Sequence, residues 1–304
     1  MKEFDITILT DHRYLSPTHI DQYIQNVLDE DRIIQEALIR KGLRVNRINW
    51  DNPNFDWEST EYIIFRSTWD YFERFSEFDI WLNKVSEQTK LINPGSLIRW
   101  SLDKHYLKDL EQKNISIPPT IFIEPKDHRT LQSLFDESGW NEAIVKPAIS
   151  GAARHTYRLS ANNISNYEEI YFKLIQEEAM LLQEFQNNVI SKGEVSFVVF
   201  GGKFSHAILK KAKPGDFRVQ DDFGGTLHDY NPSKEEIEFA EKTAISCSPV
   251  PIYARIDAIW DNSNKLCISE LELIEPELWF RKNESAATKM AEVIYNYIST
   301  EQKQ

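Results

Sequence analysis

Cysteine is scarce: the 304 residues hold only Cys247 and Cys267. Their spacing builds neither a disulfide framework nor a zinc site, and they fit a reduced intracellular compartment as small half-buried side chains. Positive charge is short as well, with 35 Lys and Arg against 48 Asp and Glu and a formal net charge of −13. Such a surface repels a phosphate backbone and argues against nucleic acid as a partner, while a local basic cleft and small anionic ligands stay allowed. No stretch approaches the ~20 apolar residues of a membrane span, and neither a charged segment nor an apolar run precedes the strand-like Phe4 to Thr10. The expectation is a cytoplasmic protein with no membrane partner. The ten glycines form neither a Walker A pattern nor a Rossmann fingerprint, and internal repeats are absent.

What is present is apolar and aromatic mass, 41% and 12% of residues with eight Trp, enough to offset ordering entropy in a globular chain. The length suits two or three packed domains. Over residues 1–100, apolar strands alternate with helical patterns, which predicts an N-terminal α/β domain with a mainly parallel sheet. Strands are expected at Phe4 to Thr10, Leu43 to Ile48 and Glu61 to Arg66, and helices from Ile24 to Lys41, stopped by Gly42, and from Phe78 to Val85. Leu91 to Asn93 closes the unit before Pro94-Gly95. Ser101 reads as the N-cap of a helix reaching Lys113, followed by the rigid Ile117-Pro118-Pro119. Residues 101–185 then read as a compact α+β unit, with strands at Thr120 to Ile123, Ala143 to Lys146 and Leu181 to Phe185 and a helix near Tyr167 to Glu178.

Residues 186–304 open on a hairpin, Val195 to Phe200 and Lys203 to Lys211, turned at Gly201-Gly202. Ser233 and Glu236 form a capping box for a helix through Ser246. A second hairpin, Ile252 to Trp260 and Leu266 to Leu273, precedes a final helix around Ser285 to Ile298.

That second hairpin carries the sharpest chemical signal. In Tyr253-Ala-Arg-Ile-Asp-Ala-Ile-Trp260, alternation puts Arg255 and Asp257 on one face; in Leu266-Cys-Ile-Ser-Glu-Leu-Glu-Leu273 it does the same for Glu270 and Glu272. A four-residue loop, Asn262 to Lys265, pairs Asp257 with Glu270 and Arg255 with Glu272. Like charges at ~5 Å cost on the order of 1 to 3 kcal/mol per pair unless a cation compensates. Hard carboxylate oxygens suit Mg²⁺, which is usually held by one or two acids plus substrate phosphates, so the patch points to a nucleotide as much as to a metal. A solvated hairpin face with one salt bridge is the plainer alternative. Lys146 ends the apolar run Ala143-Ile-Val-Lys-Pro147 and precedes the small-residue loop Ile149-Ser-Gly-Ala-Ala-Arg154. Such a loop admits phosphate oxygens to backbone N–H groups; a strand-end Lys before an ordinary turn is its alternative.

Together these residues resemble the ATP-grasp superfamily, which includes glutathione synthetases, D-alanine–D-alanine ligases and RimK-type ligases. The resemblance spans about Asn93 to Arg281. It implies an N-terminal α/β (pre-ATP-grasp) domain, a central lid subdomain and a C-terminal subdomain, with ATP and Mg²⁺ as cofactors. Under it, Lys104 and Lys146 contact phosphates, Ser150 to Arg154 with Gly151 cover them, Gln183-Glu184-Phe185 read adenine, and Glu194 holds the ribose. Asp257, Glu270 and Glu272 hold metal. The last metal position is usually Asn, and Glu272 there adds charge that would tighten Mg²⁺ or shift preference toward Mn²⁺.

The resemblance further implies that a small carboxylate substrate attacks the γ-phosphorus, giving an acyl phosphate and ADP for capture by an amine-type nucleophile. Arg255 and Arg218, the latter in Lys213-Pro-Gly-Asp-Phe-Arg-Val-Gln220, are candidates to hold the transferring phosphoryl and the substrate carboxylate; Arg218 as a surface loop charge is the alternative. Arg66, Asp70 and Tyr71, in Phe65-Arg-Ser-Thr-Trp-Asp-Tyr71 at a strand end, are candidate substrate contacts, with domain packing as the alternative. Asp11 is a weaker candidate there. This segment, Glu270-Leu-Glu-Leu-Ile-Glu-Pro-Glu-Leu-Trp-Phe280 and Gly215-Asp-Phe-Arg-Val-Gln220 look similar to a narrower group that contains the O-ureido-serine cyclo-ligase of cycloserine biosynthesis, in which capture is intramolecular. An ATP-grasp kinase and a nucleotide-binding module without turnover are the other functional readings. The sequence leaves monomer and homodimer both open.

Overall fold

The computed structural model describes residues 2–151, 153–220 and 223–301. Among these, three sheets follow one another along the chain. The first is built from β1 (Phe4–Thr10), α1 (Gln22–Arg40), β2 (Val45–Asn49), β3 (Thr60–Ser67), α2 (Phe75–Ser86) and β4 (Lys90–Ile92), with all strands parallel in the order β2-β1-β3-β4. Helices α3 (Gly95–Leu102) and α4 (Tyr106–Gln112) lead to the second. It is an antiparallel sheet of β5 (Thr120–Ile123), β6 (Glu142–Pro147), β7 (Tyr157–Ser160) and β8 (Met180–Glu184), ordered β5-β8-β6-β7 and accompanied by α5 (Leu131–Ser138) and α6 (Glu168–Ile175). Then come α7 (Asn188–Lys192), β9 (Glu194–Phe200), β10 (Lys203–Lys211), β11 (Thr226–Tyr230), α8 (Lys234–Ile245), β12 (Tyr253–Trp260), β13 (Leu266–Glu272) and α9 (Glu284–Glu301). Their strands form the third sheet, antiparallel in the order β11-β10-β9-β12-β13. No helix among the described residues is long and apolar enough to cross a membrane.

Local chemistry accounts for the element ends that aim the site. Gly201 and Gly202 both take positive φ, +56° and +77°, as a two-residue hairpin turn between β9 and β10 requires. The Ser233 and Glu236 capping box is present at the start of α8. The expected helix from Ser101 to Lys113 is instead two short helices. Pro94 sits at the N-terminus of α3, where a missing N–H costs nothing. Ser101 lies inside α3 and donates its hydroxyl back to the Ile98 carbonyl at 3.0 Å. The break between α3 and α4 is where Lys104 is placed.

The first and third sheets share a core. Ile6, Ile8, Tyr62 and Ile64 pack in one buried cluster with Phe200, Trp279, Met290 and Ile294. Asn93, fully buried just past β4, fixes this junction: its amide donates to the Tyr253 and Leu273 carbonyls at 2.9 and 2.8 Å and accepts from the Ile252 N–H at 2.6 Å. The end of the parallel sheet is thereby held against the strands that carry the acids. Both cysteines are free and fully buried, deeper than the half-buried positions expected, and burial pushes each thiol up to about 12.

Candidate functional site

Strands β12 and β13 pair Arg255 with Glu272 and Asp257 with Glu270. A bulge follows: Ala258 pairs with Ile268, Trp260 with Leu266, and Ser269 is the extra residue. The four-residue loop from Asn262 to Lys265 would pair Asp261 with Leu266; the observed register is shifted by one at the turn, and the bulge restores it at the acids. Ser269 uses its position there, its hydroxyl lying 2.7 Å from Glu194 Oε2 and 3.0 Å from the Asp257 carbonyl.

One oxygen each from Asp257, Glu270 and Glu272 lies within 4.8 Å of the others. Cations surround them. Arg255 donates to both Asp257 oxygens, at 3.0 Å from Nε and 2.8 Å from Nη2, and also pairs with Glu272. Lys210 on β10 reaches Asp257 Oδ2 at 3.1 Å and Glu194 Oε1 at 2.5 Å. Lys104 pairs with Glu270 at 3.0 Å and donates to the Ser150 carbonyl at 2.5 Å. Burial would raise all three carboxyls. In Asp257 the charges of Arg255 and Lys210 outweigh it and hold the group well below the usual range. In Glu270, Lys104 and Lys146 likewise outweigh burial. In Glu272, burial wins over Arg255, and Asp257 and Glu270 add to it, lifting the carboxyl to about 7. A site of hard oxygens with one acid short of compensation fits a divalent cation.

A cavity of about 240 Å³ opens onto this trio. Lys104, Lys146, Ser150, Gly151, Gln183, Glu184, Phe185, Glu194, Arg218, Arg255, Asp257, Glu270, Glu272 and Tyr71 all line it. Lys146 projects from β6, and burial brings its ammonium down to about 8 against the pull of Glu270. The 150s loop is tied from within: Ser150 Oγ donates to the Arg154 carbonyl at 3.1 Å, and Arg154 pairs with Glu178. Ala152 of that loop lies outside the described residues. Gly151 sits so close to Phe72 that a Cβ there would meet the ring at 2.6 Å. Arg218 is held by Asp216 at 2.9 Å and stacks over Phe223 at 3.8 Å.

Arg66 and Asp70 are not brought to the cavity. Arg66 is buried, donates to the Pro276 carbonyl at 2.9 Å and lies over the Phe280 ring. Asp70 accepts from Trp50 Nε1 at 2.7 Å and from Arg74 at 2.8 Å. Both act in packing, and Tyr71 alone of the three reaches the cleft. Asp11 is clasped by Arg13 through both its oxygens.

At the hinge after β8, the Phe185 N–H is already committed to the Glu142 carbonyl at 3.0 Å, whereas the Gln186 N–H has no acceptor among the described residues and Gln186 lines the cavity. The free backbone donor is thus one residue beyond the tripeptide expected. Lys210 and Glu275 also went unforeseen. A plain two-residue turn at Gly201-Gly202 would pair Lys210 with Gly193, but a bulge at Ser205 shifts the register and puts it beside Glu194. Glu275 faces Tyr71 in the same cavity, and its burial, with the Glu272 charge, lifts its carboxyl to about 8.

The family described as D-cycloserine synthetase DcsG, N-terminal domain, matches residues 6–93. The chain is 26% identical over 279 residues to the cycloserine biosynthesis protein DcsG of Streptomyces lavendulae, covering 85% of this chain and 90% of that protein. The crystal structure of D-cycloserine synthetase DcsG superposes with a TM-score of 0.83 at 25% identity, over 96% of this chain and 99% of that one. The ATP-grasp ligase PsnB, solved with a precursor variant, Mg and ADP, superposes with a TM-score of 0.62 over 97% and 99% of the two chains; at 14% identity it speaks to the fold alone.

Proposed function

We propose, for a chain that is an ATP-dependent carbon–nitrogen ligase of the ATP-grasp superfamily, that it turns a small amino-acid-like or peptide-like carboxylate into an acyl phosphate, releasing ADP, and passes the acyl group to an amine. The observation that supports this most is the register-fixed trio Asp257, Glu270 and Glu272 sharing one cleft with Lys104 and Lys146. A divalent cation on the three acids supplies charge neutralisation at the phosphoryl oxygens. Lys104 and Lys146 hold phosphates, with Ser150 and Gly151 over them. The Glu184 carbonyl and the Gln186 N–H read the adenine edge, and Glu194, oriented by Lys210 and Ser269, takes the ribose hydroxyls. Arg218 meets the substrate carboxylate at the rim, and Tyr71 closes the substrate side. Transfer of this kind depends on position and charge and needs no nucleophilic Ser or Cys.

The test is phosphate release across a panel of amino acids and small acids with Mg²⁺ and ATP, followed by mass spectrometry of the product. ADP and phosphate appearing only with one acid, and an amide in the product, is the expected result. AMP with pyrophosphate, or a product that keeps the phosphate as in a kinase, would overturn the reading. A product in which acid and nitrogen come from one molecule would identify intramolecular capture.

Nucleotide affinity should depend on pH through Lys146. Its ammonium is charged below about 8 and neutral above, and only the charged form attracts phosphate. The dissociation constant of MgADP is therefore expected to rise from about pH 8 upward, by at most about tenfold per pH unit. In Lys146→Arg the dependence should vanish, because the guanidinium stays charged throughout. A flat wild-type profile would remove Lys146 from the phosphate site.

A further inference from the structure

Beside the cavity just described lies a second, of about 410 Å³, a size typical of small-molecule sites. The two are continuous, since Gly151, Lys210, Gln220, Arg255, Glu272 and Glu275 line both. Five rings wall the second: Tyr14, Tyr23, Trp69, Phe72 and Trp279. Its charges are unevenly matched. Each cation that lines it is ion-paired: Arg13 to Asp11, Lys210 to Glu194 and Asp257, Arg255 to Asp257 and Glu272, Arg281 to Glu30 and Glu277. Two of its acids, Glu73 and Glu275, have no ion pair among the described residues. Glu73 is exposed and lines the second cavity alone, while Glu275 lines both and stands where they join.

Resting on the ligase reading above, we infer that this aromatic cavity seats the nucleophile as a separate second substrate: a protonated amine on an apolar or aromatic body, its ammonium on Glu275 and its body among the rings. An ammonium satisfies a carboxylate that the protein leaves without a cation, and the ring walls, two of which already carry Arg13 and Arg255 over their faces, bury the apolar body rather than the charge. The location at the junction places the nitrogen next to the acids and lysines of the first cavity, where an acyl phosphate would form: Glu275 takes one proton from the ammonium, the freed amine attacks the acyl carbon, and inorganic phosphate leaves as the amide forms.

The test uses three probes of similar shape, phenethylammonium, 2-phenylethanol and phenylacetate, titrated into the full chain with MgADP and followed by calorimetry and tryptophan fluorescence. The ammonium is expected to bind about tenfold tighter than the alcohol, with phenylacetate weakest. Glu275→Gln should erase about tenfold of the ammonium affinity and leave the alcohol unchanged, and Glu73→Gln should cost less. Phenylacetate binding as well as the ammonium, no binding by the ammonium, or an ammonium preference that survives Glu275→Gln would each overturn the inference. Displacement of a fluorescent ADP analogue by ATP in the same samples separates the two levels: nucleotide binding without amine preference sinks only this assignment, whereas absent nucleotide binding sinks the ligase reading itself.

Discussion

Glu270→Gln is expected to reduce acid-dependent phosphate release by at least about 10³-fold while the chain stays folded. The substitution keeps the shape and removes one negative charge from a set whose oxygens lie within 4.8 Å of one another. Lys104 loses its carboxylate partner but retains the Ser150 carbonyl, so the loop is not released. Asp257→Asn is a less informative variant. Asp257 is buried under Arg255, Lys210 and Ser196, so its loss would mix catalysis with stability. Three measurements belong together: kcat, the Mg²⁺ dependence of nucleotide binding, and the melting temperature. Lost turnover, weakened Mg²⁺ dependence and an almost unchanged melting temperature is the pattern a metal ligand produces, and chelation of the wild type should reproduce the first two. Full turnover in the variant would mean that the trio does not hold the catalytic cation.

The acid pairing was legible because strand alternation is insensitive to errors elsewhere in a hairpin. Alternation gives a four-residue loop and the actual connection is one longer, yet the bulge at Ser269 cancels the difference before the chain reaches Asp257 and Glu270. The same kind of feature concealed Lys210. There the bulge at Ser205 is not compensated, and counting back from Gly201-Gly202 misses Glu194 by one residue. Bulges leave no mark in apolar periodicity, so a register read from a turn is safe only up to the first of them. Arg66 and Asp70 were misassigned for a different reason. Arg66 is committed to the Pro276 carbonyl, 210 residues away, and Asp70 to Trp50 Nε1, 20 residues away, as well as to Arg74 on the next turn; nothing within Phe65 to Tyr71 distinguishes a charge aimed at a ligand from one aimed at such partners. Pro94-Gly95, read as the end of a unit, begins α3, since a proline that breaks one element can start the next.

Arg255→Leu should lower the melting temperature of the metal-free protein by on the order of 10 °C, and Mg²⁺ with nucleotide should return part of that loss. The Arg255 side chain is 11% exposed and holds Asp257 and Glu272 together. Removing one partner of a buried ion pair typically costs about 3 to 5 kcal/mol, and each kcal/mol is worth about 2 to 4 °C in domains of roughly 150 to 250 residues. Glu272 is the more exposed to this change, because Arg255 is the largest influence opposing the burial that lifts it to about 7. A divalent cation can take over the missing charge, so the Mg²⁺-induced rise in melting temperature should be larger in the variant than in the wild type, where metal and guanidinium share the same carboxylates. Arg255→Lys should fall between them, a point charge replacing a fork that reaches both oxygens of Asp257. If Arg255 instead serves mainly to touch the transferring phosphoryl, the variant will keep its melting temperature and its Mg²⁺ response and lose only kcat.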